Sequence, residues 1–249
     1  DPAETLQNIQ DGITSRTRMI ALSHVERHHG VRVPAAEICA LARSTGLVVL
    51  LDGAQSVGQF PVDFHALEID FYAANCHKWL CGPNGTGVFY CRRDRLHLLD
   101  QAHVGPGSNE TWDRIGGVVL TNKADRFEYG TRSLGVAATI GDTVRAFEAI
   151  GPAAIEARLQ SLSAGIRRRI AERNWQLTSP PEWERGSALV SFNIPDVDGH
   201  ELTKELQASA ATWLSSNTSD GIRLSPHFYN TEEEIDRAFQ NIERLATGS

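Results

Sequence analysis

Short apolar runs alternate with a helical pattern through the first half of the chain. "TRMIALSHV" (Thr17 to Val25) contains a short apolar strand that ends in polar Ser23 and His24. "VPAAEICALARSTG" follows as a helix. Pro34 suits its first turn, Ile38, Leu41 and Ala42 make an apolar face, and Gly46 suits the position just past its end. "LVVLLD" (Leu47 to Asp52) is then apolar without alternation, which fits a strand covered on both faces, as in a parallel sheet. "DFYAAN" and "TGVFYC" read as two more strands. Strands alternating with a helix predict an α/β architecture with a mostly parallel sheet.

The second half has a different rhythm. The stretch from Leu134 to Arg145 is Ala-rich and helical, and "AIEARLQSLSAGIRRRIAERN" continues the helical pattern. "ALVSFNI" (Ala188 to Ile194) alternates as a strand, "DGHELTKELQAS" gives a helix and "GIRLSP" a short strand. Thr231 with Glu234 three residues on is a capping-box signature before Ile235, Ala238, Phe239 and Ile242. These elements predict a smaller α+β unit over 147–249, after a larger unit over 1–146.

Composition narrows the function classes. The chain has 249 residues, 41% of them hydrophobic, enough for a sizeable core, and a formal net charge of -7 with no basic stretch. That balance argues against nucleic-acid binding. No apolar run approaches the ~20 residues of a membrane helix, and no signal peptide opens the chain. Cys39, Cys76, Cys81 and Cys91 lack zinc-site spacing and read as free thiols of a cytoplasmic protein. His24 and His28 are four apart without an HExxH frame, so no metal site is expected. Ser23, Ser56 and Ser191 lack a nucleophile-elbow signature.

Two places carry candidate chemistry. Asp52 ends the most apolar strand, and carboxyl ends of parallel strands face the usual ligand crevice. It reads either as a turn or cap residue, or as a carboxylate aimed at a cation or a protonated ring nitrogen. Gln55, three residues later, has an amide that can donate to a ligand oxygen. His77 and Lys78 follow "DFYAAN" and precede Trp79, Leu80 and "GPNGTG". A lysine alone is ordinarily solvated. Here the glycines behind it permit close backbone approach, which favours a nucleophile that forms a Schiff base with an aldehyde. "GPNGTG" is neither a Walker motif nor a dinucleotide fingerprint.

These segments together carry a resemblance. "VVLLDGAQSVGQFPVDFHALEIDFYAANCHKWLCGPNGTGVFY" is similar to the pyridoxal-phosphate site of the class V aminotransferase family. The likeness begins at "TRMIALSHV", passes "RFEYGTRS" and reaches "GIRLSPHFYNTEEEID", nearly the whole chain. It implies the aspartate aminotransferase-like fold type I, with residues 1–146 as the C-terminal portion of the large cofactor domain. It implies pyridoxal 5'-phosphate as cofactor, Lys78 as the internal aldimine lysine, Asp52 on the pyridinium nitrogen and Gln55 on the phenolic oxygen. His77 would contact the phosphate or steady the lysine, and His24 would lie near the cofactor face. Thr131 would reach the phosphate of the other subunit, which implies a homodimer with shared sites. Arg223 would clamp the α-carboxylate of an amino-acid substrate.

The chain also departs from that family. The family's N-terminal portion, with a phosphate-binding turn and a ring that stacks on the cofactor, is missing from this sequence and is expected upstream of it. "SAATWLSSNTSDGIR" carries no cysteine where desulfurases of the family hold a mobile one, which disfavours a persulfide mechanism. Ser215 stands where cystine C–S lyases tend to have a second arginine. Arg27 stands where family members often have Asn or Trp near the substrate. The expectation is a C–S lyase acting on a cysteine- or cystine-like substrate, with an epimerase or aminotransferase as the alternative. A cofactor-free structural relative is disfavoured by the intact Asp52, Gln55, His77, Lys78 and Arg223.

Overall fold

Three of the apolar runs lie side by side and point the same way. In the computed structural model, which describes residues 2–113, 115–210, 212, 214–216 and 221–247, helix α1 (Pro2–Gly12) precedes strand β1 (Met19–Ser23). Helix α2 (Ala35–Thr45) leads to β2 (Val48–Asp52), and the short α3 (Phe64–Leu67) leads to β3 (Phe71–Asn75). Strands β1, β2 and β3 pair in parallel, with Ser23 opposite Asp52 and Asp52 opposite Ala73. Strand β4 (Gly87–Cys91) closes the sheet antiparallel to β3, giving the order β1-β2-β3-β4. The parallel run places Ser23, Asp52 and Asn75 along one edge.

The sheet is held by burial on both faces. Val49, Leu51, Tyr72, Ile38 and Ala42 are buried in one cluster. Helix α2 stops at Gly46, whose φ of 69° is left-handed and whose N–H caps the carbonyls of Ala42 and Arg43. Asp70, 4% exposed, pins the entry to β3. Its carboxylate accepts from Val49 N–H at 2.9 Å and from Arg95 Nε at 2.9 Å, and Arg92 Nη2 lies 3.1 Å away.

Beyond the sheet comes an antiparallel hairpin, β5 (Asn109–Trp112) with β6 (Val118–Leu120). Helix α4 (Leu134–Ile150) then runs unbroken across 146 and 147, where the sequence suggests dividing the units, and ends at Gly151. Helix α5 (Pro152–Glu172) follows, with Pro152 in its first turn. Strands β7 (Gln176–Leu177), β8 (Val190–Asn193), β9 (Ser215–Ser216) and β10 (Ile222–Leu224) form an antiparallel sheet of order β7-β8-β10-β9. Helices α5, α6 (Gly199–Ala210) and α7 (Glu232–Ala246) supply its core, with Ile166, Leu206 and Phe239 packed on Phe192 and Ile222. The capping box at Thr231 and Glu234 forms as its spacing predicts. Helix α1, whose Leu6 and Ile9 pack against the sheet core, and the hairpin are additions to the elements read from the sequence.

The Asp70 cluster generates a stability prediction. Asp70→Ala removes the carboxylate that Arg95 Nε and the buried Val49 N–H bond to, while Arg92 keeps Asp94 and the Glu68 carbonyl. The expected loss is about 3 kcal/mol, the scale for removing one partner of a buried ion pair. Urea unfolding of parent and variant measures it, and a difference under ~0.5 kcal/mol would place Asp70 among inconsequential surface charges.

Candidate active site

The strand-end edge opens into a cleft of about 380 Å³. Ser23, Val25, Glu26, Arg27 and His28 line it from the segment after β1, Asp52, Ala54 and Gln55 from the turn after β2, and Lys78 from the turn after β3. Asp52 and Lys78, 26 positions apart in sequence, thus share one wall because β2 and β3 are parallel neighbours. The Asp52 carboxylate accepts from Ala54 N–H at 2.8 Å, which fixes the turn. Among the described residues neither Asp52 nor Lys78 has an ion-pair partner.

The amide of Gln55 is oriented by chemistry. Trp79 Nε1–H, a donor only, lies 2.8 Å from Gln55 Oε1. The oxygen is therefore committed to the indole, and the NH2 group remains as the donor. Trp79 itself is buried and clamped from the C-terminal unit. His227 Nδ1 accepts from Phe228 N–H at 2.9 Å, so Nε2 carries the proton and donates to Trp79 O at 3.0 Å. The His227 ring also stacks on Trp79, with centroids 5.4 Å apart. Burial holds the His227 pKa below its ordinary value, against the opposing bond to the Trp79 carbonyl. The sequence signals available for this clamp were the tryptophan directly after Lys78 and the aromatic run "PHFYN".

Behind the turn lies a buried polar chain. Ser56 Oγ donates to Gly53 O at 3.2 Å and lies 2.5 Å from Tyr72 Oη. With the serine proton used, Tyr72 O–H donates to Ser56 and accepts from His24 Nδ1–H at 2.8 Å. Gly53 is required here, since a Cβ at that position would sit 2.0 Å from Tyr72 Cε1. His24 is 5% exposed and faces Tyr72 and Phe60 edge-on. It is not among the residues that line the cleft. Burial, with help from the positive charge of Arg32, lowers its pKa from 6.5 to about 4.

The far wall is built jointly. Four successive carbonyls accept side-chain bonds from the C-terminal unit: Arg27 O from Arg223 Nη1 at 2.5 Å, His28 O from Ser191 Oγ, His29 O from Ser179 Oγ at 2.6 Å, and Gly30 O from Ser187 Oγ at 3.0 Å. Arg223 backs this wall through the Arg27 carbonyl without itself being among the residues that line the cleft, and sits on β10 between Ser191 of β8 and Ser215 of β9. Among the described residues its buried Nε has no hydrogen-bond partner. Burial foremost, then the nearby Arg27 charge, holds its pKa below the ordinary arginine value, with Glu26 acting in the opposite sense.

The remaining candidates lie apart from this wall. His77 is exposed beside Lys78 without lining the cleft. Thr131 is exposed between the hairpin and α4. Part of the cysteine-free segment, at 211, 213 and 217–220, lies outside the described residues.

Known proteins share the family and the fold. Residues 3–238 match the family model described as aminotransferase class-V. Isopenicillin N epimerase of Streptomyces clavuligerus is 32% identical over 259 residues, covering 98% of this chain and 64% of that protein. The apo structure of a cysteine desulfurase from Thermococcus onnurineus NA1 superposes with a TM-score of 0.88 at 26% identity, covering 100% of this chain and 64% of that one. A cystine C–S lyase, solved with its reaction product cysteine persulfide, superposes with a TM-score of 0.86 at 28% identity, covering 97% and 64%. The chain therefore spans just under two thirds of the length of these relatives.

The buried imidazole sets a pH dependence. His24 takes up a proton in the unfolded chain near pH 6.5 and in the folded protein only near 4. Stability therefore falls as pH drops from 6.5 toward 4, by up to about 3 kcal/mol from this group at one pKa unit per 1.36 kcal/mol. His227 adds in the same direction. Urea unfolding at pH 7 and pH 4.5 should show a shallower loss for His24→Gln than for the parent. Equal slopes would remove His24 as the source.

Proposed function

The chain belongs to the class V aminotransferase family, with its fold type I architecture, and on that premise we propose that it is a pyridoxal-phosphate enzyme acting on an amino acid. The observation that carries the reading is the convergence of Lys78, Asp52 and the Gln55 NH2 group on one cleft. The donor set suits the cofactor: a primary amine for its aldehyde, an unpaired carboxylate for its ring nitrogen and an amide donor for its phenolic oxygen. When bound, pyridoxal phosphate supplies an electron sink for the substrate Cα.

The chain's own groups then have distinct tasks. Asp52 keeps the ring nitrogen protonated. Gln55, held by Trp79, donates without rotating. Arg223 takes the substrate α-carboxylate in a two-pronged bond that a lysine cannot reproduce. Lys78, once its amine is free, removes the Cα proton. His77 steadies the lysine turn or meets the phosphate. Thr131 serves the phosphate site of a second copy, and the proposed assembly is a homodimer. Exposed Trp112, Val119 and Leu134, 69%, 56% and 73% accessible, are consistent with a covered face in that region. The proposed location is cytoplasmic. Among the described residues no helix is long and apolar enough to cross a membrane.

The favoured reaction is C–S cleavage. The Cα proton passes to Lys78, the Cβ–S bond breaks, and its electron pair leaves with sulfur as a thiolate. The unsaturated amino acid that remains hydrolyses to a keto acid and ammonia. None of the four cysteines lines the cleft, which supports departure of sulfur to solvent without a protein persulfide. The likeness to an epimerase and the match to the aminotransferase class-V model keep racemisation or transamination as the second reading.

Two measurements test this. Borohydride treatment of the protein loaded with pyridoxal phosphate should fix the cofactor to Lys78, read by peptide mass spectrometry. A label on Lys123 or Lys204, or none, would overturn the assignment. Incubation should release keto acid together with an equal amount of the sulfur leaving group, a persulfide from cystine, sulfide from cysteine and a thiol from S-substituted cysteines, and simultaneous replacement of Cys39, Cys76, Cys81 and Cys91 by Ser should leave turnover within a few-fold. Racemised or transaminated product without thiol would transfer the assignment to the second reading.

A further inference from the structure

We propose that Arg27 selects substrates whose side chain ends in a carboxylate, so that the preferred substrate is a cysteine derivative carrying a second anionic group beyond sulfur. The inference rests on the reading of this cleft as an amino-acid site. Its basis is an imbalance of charge. Arg27 lines the cleft and is exposed to it. Among the described residues no carboxylate lies within ion-pair distance of the Arg27 or Arg223 guanidinium.

The nearest candidate counter-ion is already engaged. Glu26 Oε1 accepts from His28 N–H at 2.6 Å and Glu26 Oε2 from His29 N–H at 2.7 Å. That carboxylate caps the backbone of the turn and does not neutralise Arg27. The Arg27 side chain is instead oriented by His28, whose Nε2 accepts from Arg27 Nε at 3.0 Å. That bond fixes one edge of the guanidinium against the wall. The remaining guanidinium nitrogens of Arg27 are left to meet the cleft.

The two arginines are also coupled. Arg223 Nη1 donates to the Arg27 carbonyl at 2.5 Å, so both side chains spring from one hydrogen-bonded rim. Two guanidinium groups held near one another repel, and that cost falls when each meets its own anion. Under the proposed function Arg223 takes the α-carboxylate. Arg27 then remains for a second carboxylate, and its planar fork suits that shape better than a point charge does. An amino acid with an apolar side chain would leave Arg27 unpaired against the bound ligand.

A matched pair of substrates tests the assignment. S-Carboxymethylcysteine and S-carbamoylmethylcysteine differ only in a terminal carboxylate or amide. The pyridoxal-phosphate-loaded protein should cleave the carboxylate with kcat/KM about 10- to 100-fold above the amide, the range of a charge-assisted hydrogen bond, with the difference mainly in KM. Arg27→Gln should abolish that preference, and Arg27→Lys should restore part of it. Equal kcat/KM for the pair in the parent protein, with keto acid formed from both, overturns the inference and leaves the proposed function standing. Keto acid from neither substrate, nor from cystine, removes the proposed function instead. An Arg27→Gln protein that binds pyridoxal phosphate more weakly in a cofactor titration, yet keeps the substrate preference once saturated with it, also overturns the inference and assigns Arg27 to the cofactor phosphate.

Discussion

The run of carbonyls from Arg27 to Gly30 is the contact on which the cleft depends. These four groups cross from the parallel sheet toward the antiparallel one, and each accepts a side-chain donor from the second unit. A buried peptide carbonyl without a partner is costly, so a loop in this position must be received by donors or by water. Three serines and an arginine receive it. Gly30 completes the fit: its φ of 68° is left-handed, and a Cβ would come within 2.4 Å of Leu189 O. The wall that bears Arg27 and His28 is consequently set by the position of β8 and β10. A shift of the C-terminal sheet moves both that wall and Arg223 relative to Asp52 and Lys78.

The opposite wall is fixed by packing and directional bonds. Tyr72 fills the space that only glycine leaves open at position 53, and its hydroxyl ties Ser56 to His24 in a closed polar chain. Trp79 spans from the lysine turn to Gln55, while His227 reaches across from the second unit to hold Trp79. A small apolar cluster of Val25, Phe60, Trp79, Phe147 and Leu189 seals the junction between these walls. Groups that meet a ligand are thus backed by residues with no freedom to adapt, which is what preorganisation requires.

Much of this was legible in the sequence, and the rest was not for identifiable reasons. Unalternating "LVVLLD" gave a parallel strand, and its last residue, Asp52, fell where strand ends collect ligand groups. The Thr231 and Glu234 spacing located the start of the last helix to the residue. The orientation of His24 was not legible. Neighbouring residues at a strand end point to opposite sides, so Ser23 reaches the cleft while His24 enters the core. Proximity in sequence to a site therefore said nothing about which side the imidazole took. Trp79 and His227 were missed because their pairing spans 148 positions and no local pattern encodes it. Helix α1 was missed because its apolar stripe is short, Leu6 and Ile9, and only partly buried against the sheet core.

The thiols bear on the chemistry from a different direction. A cysteine that accepts sulfur must present a thiolate to the substrate sulfur. Burial pushes Cys39 up to about 11, and burial also raises Cys81 and Cys91 above the ordinary thiol value. Cys76, the fourth, is fully enclosed. Cys81 is the exposed member of the set and the one nearest Lys78 in sequence. Yet it sits by His227 Nε2, the nitrogen that carries a proton and gives it to the Trp79 carbonyl, so the imidazole offers this thiol no base. The same hydrogen bond that steadies the Gln55 wall thereby leaves the adjacent cysteine inert. In the proposed lyase reaction sulfur then departs with its own substituent, and discrimination among substrates falls to whatever the cleft offers that substituent. Among the described residues Arg27 has no ion-pair partner, and its guanidinium lines the cleft where it can make that choice.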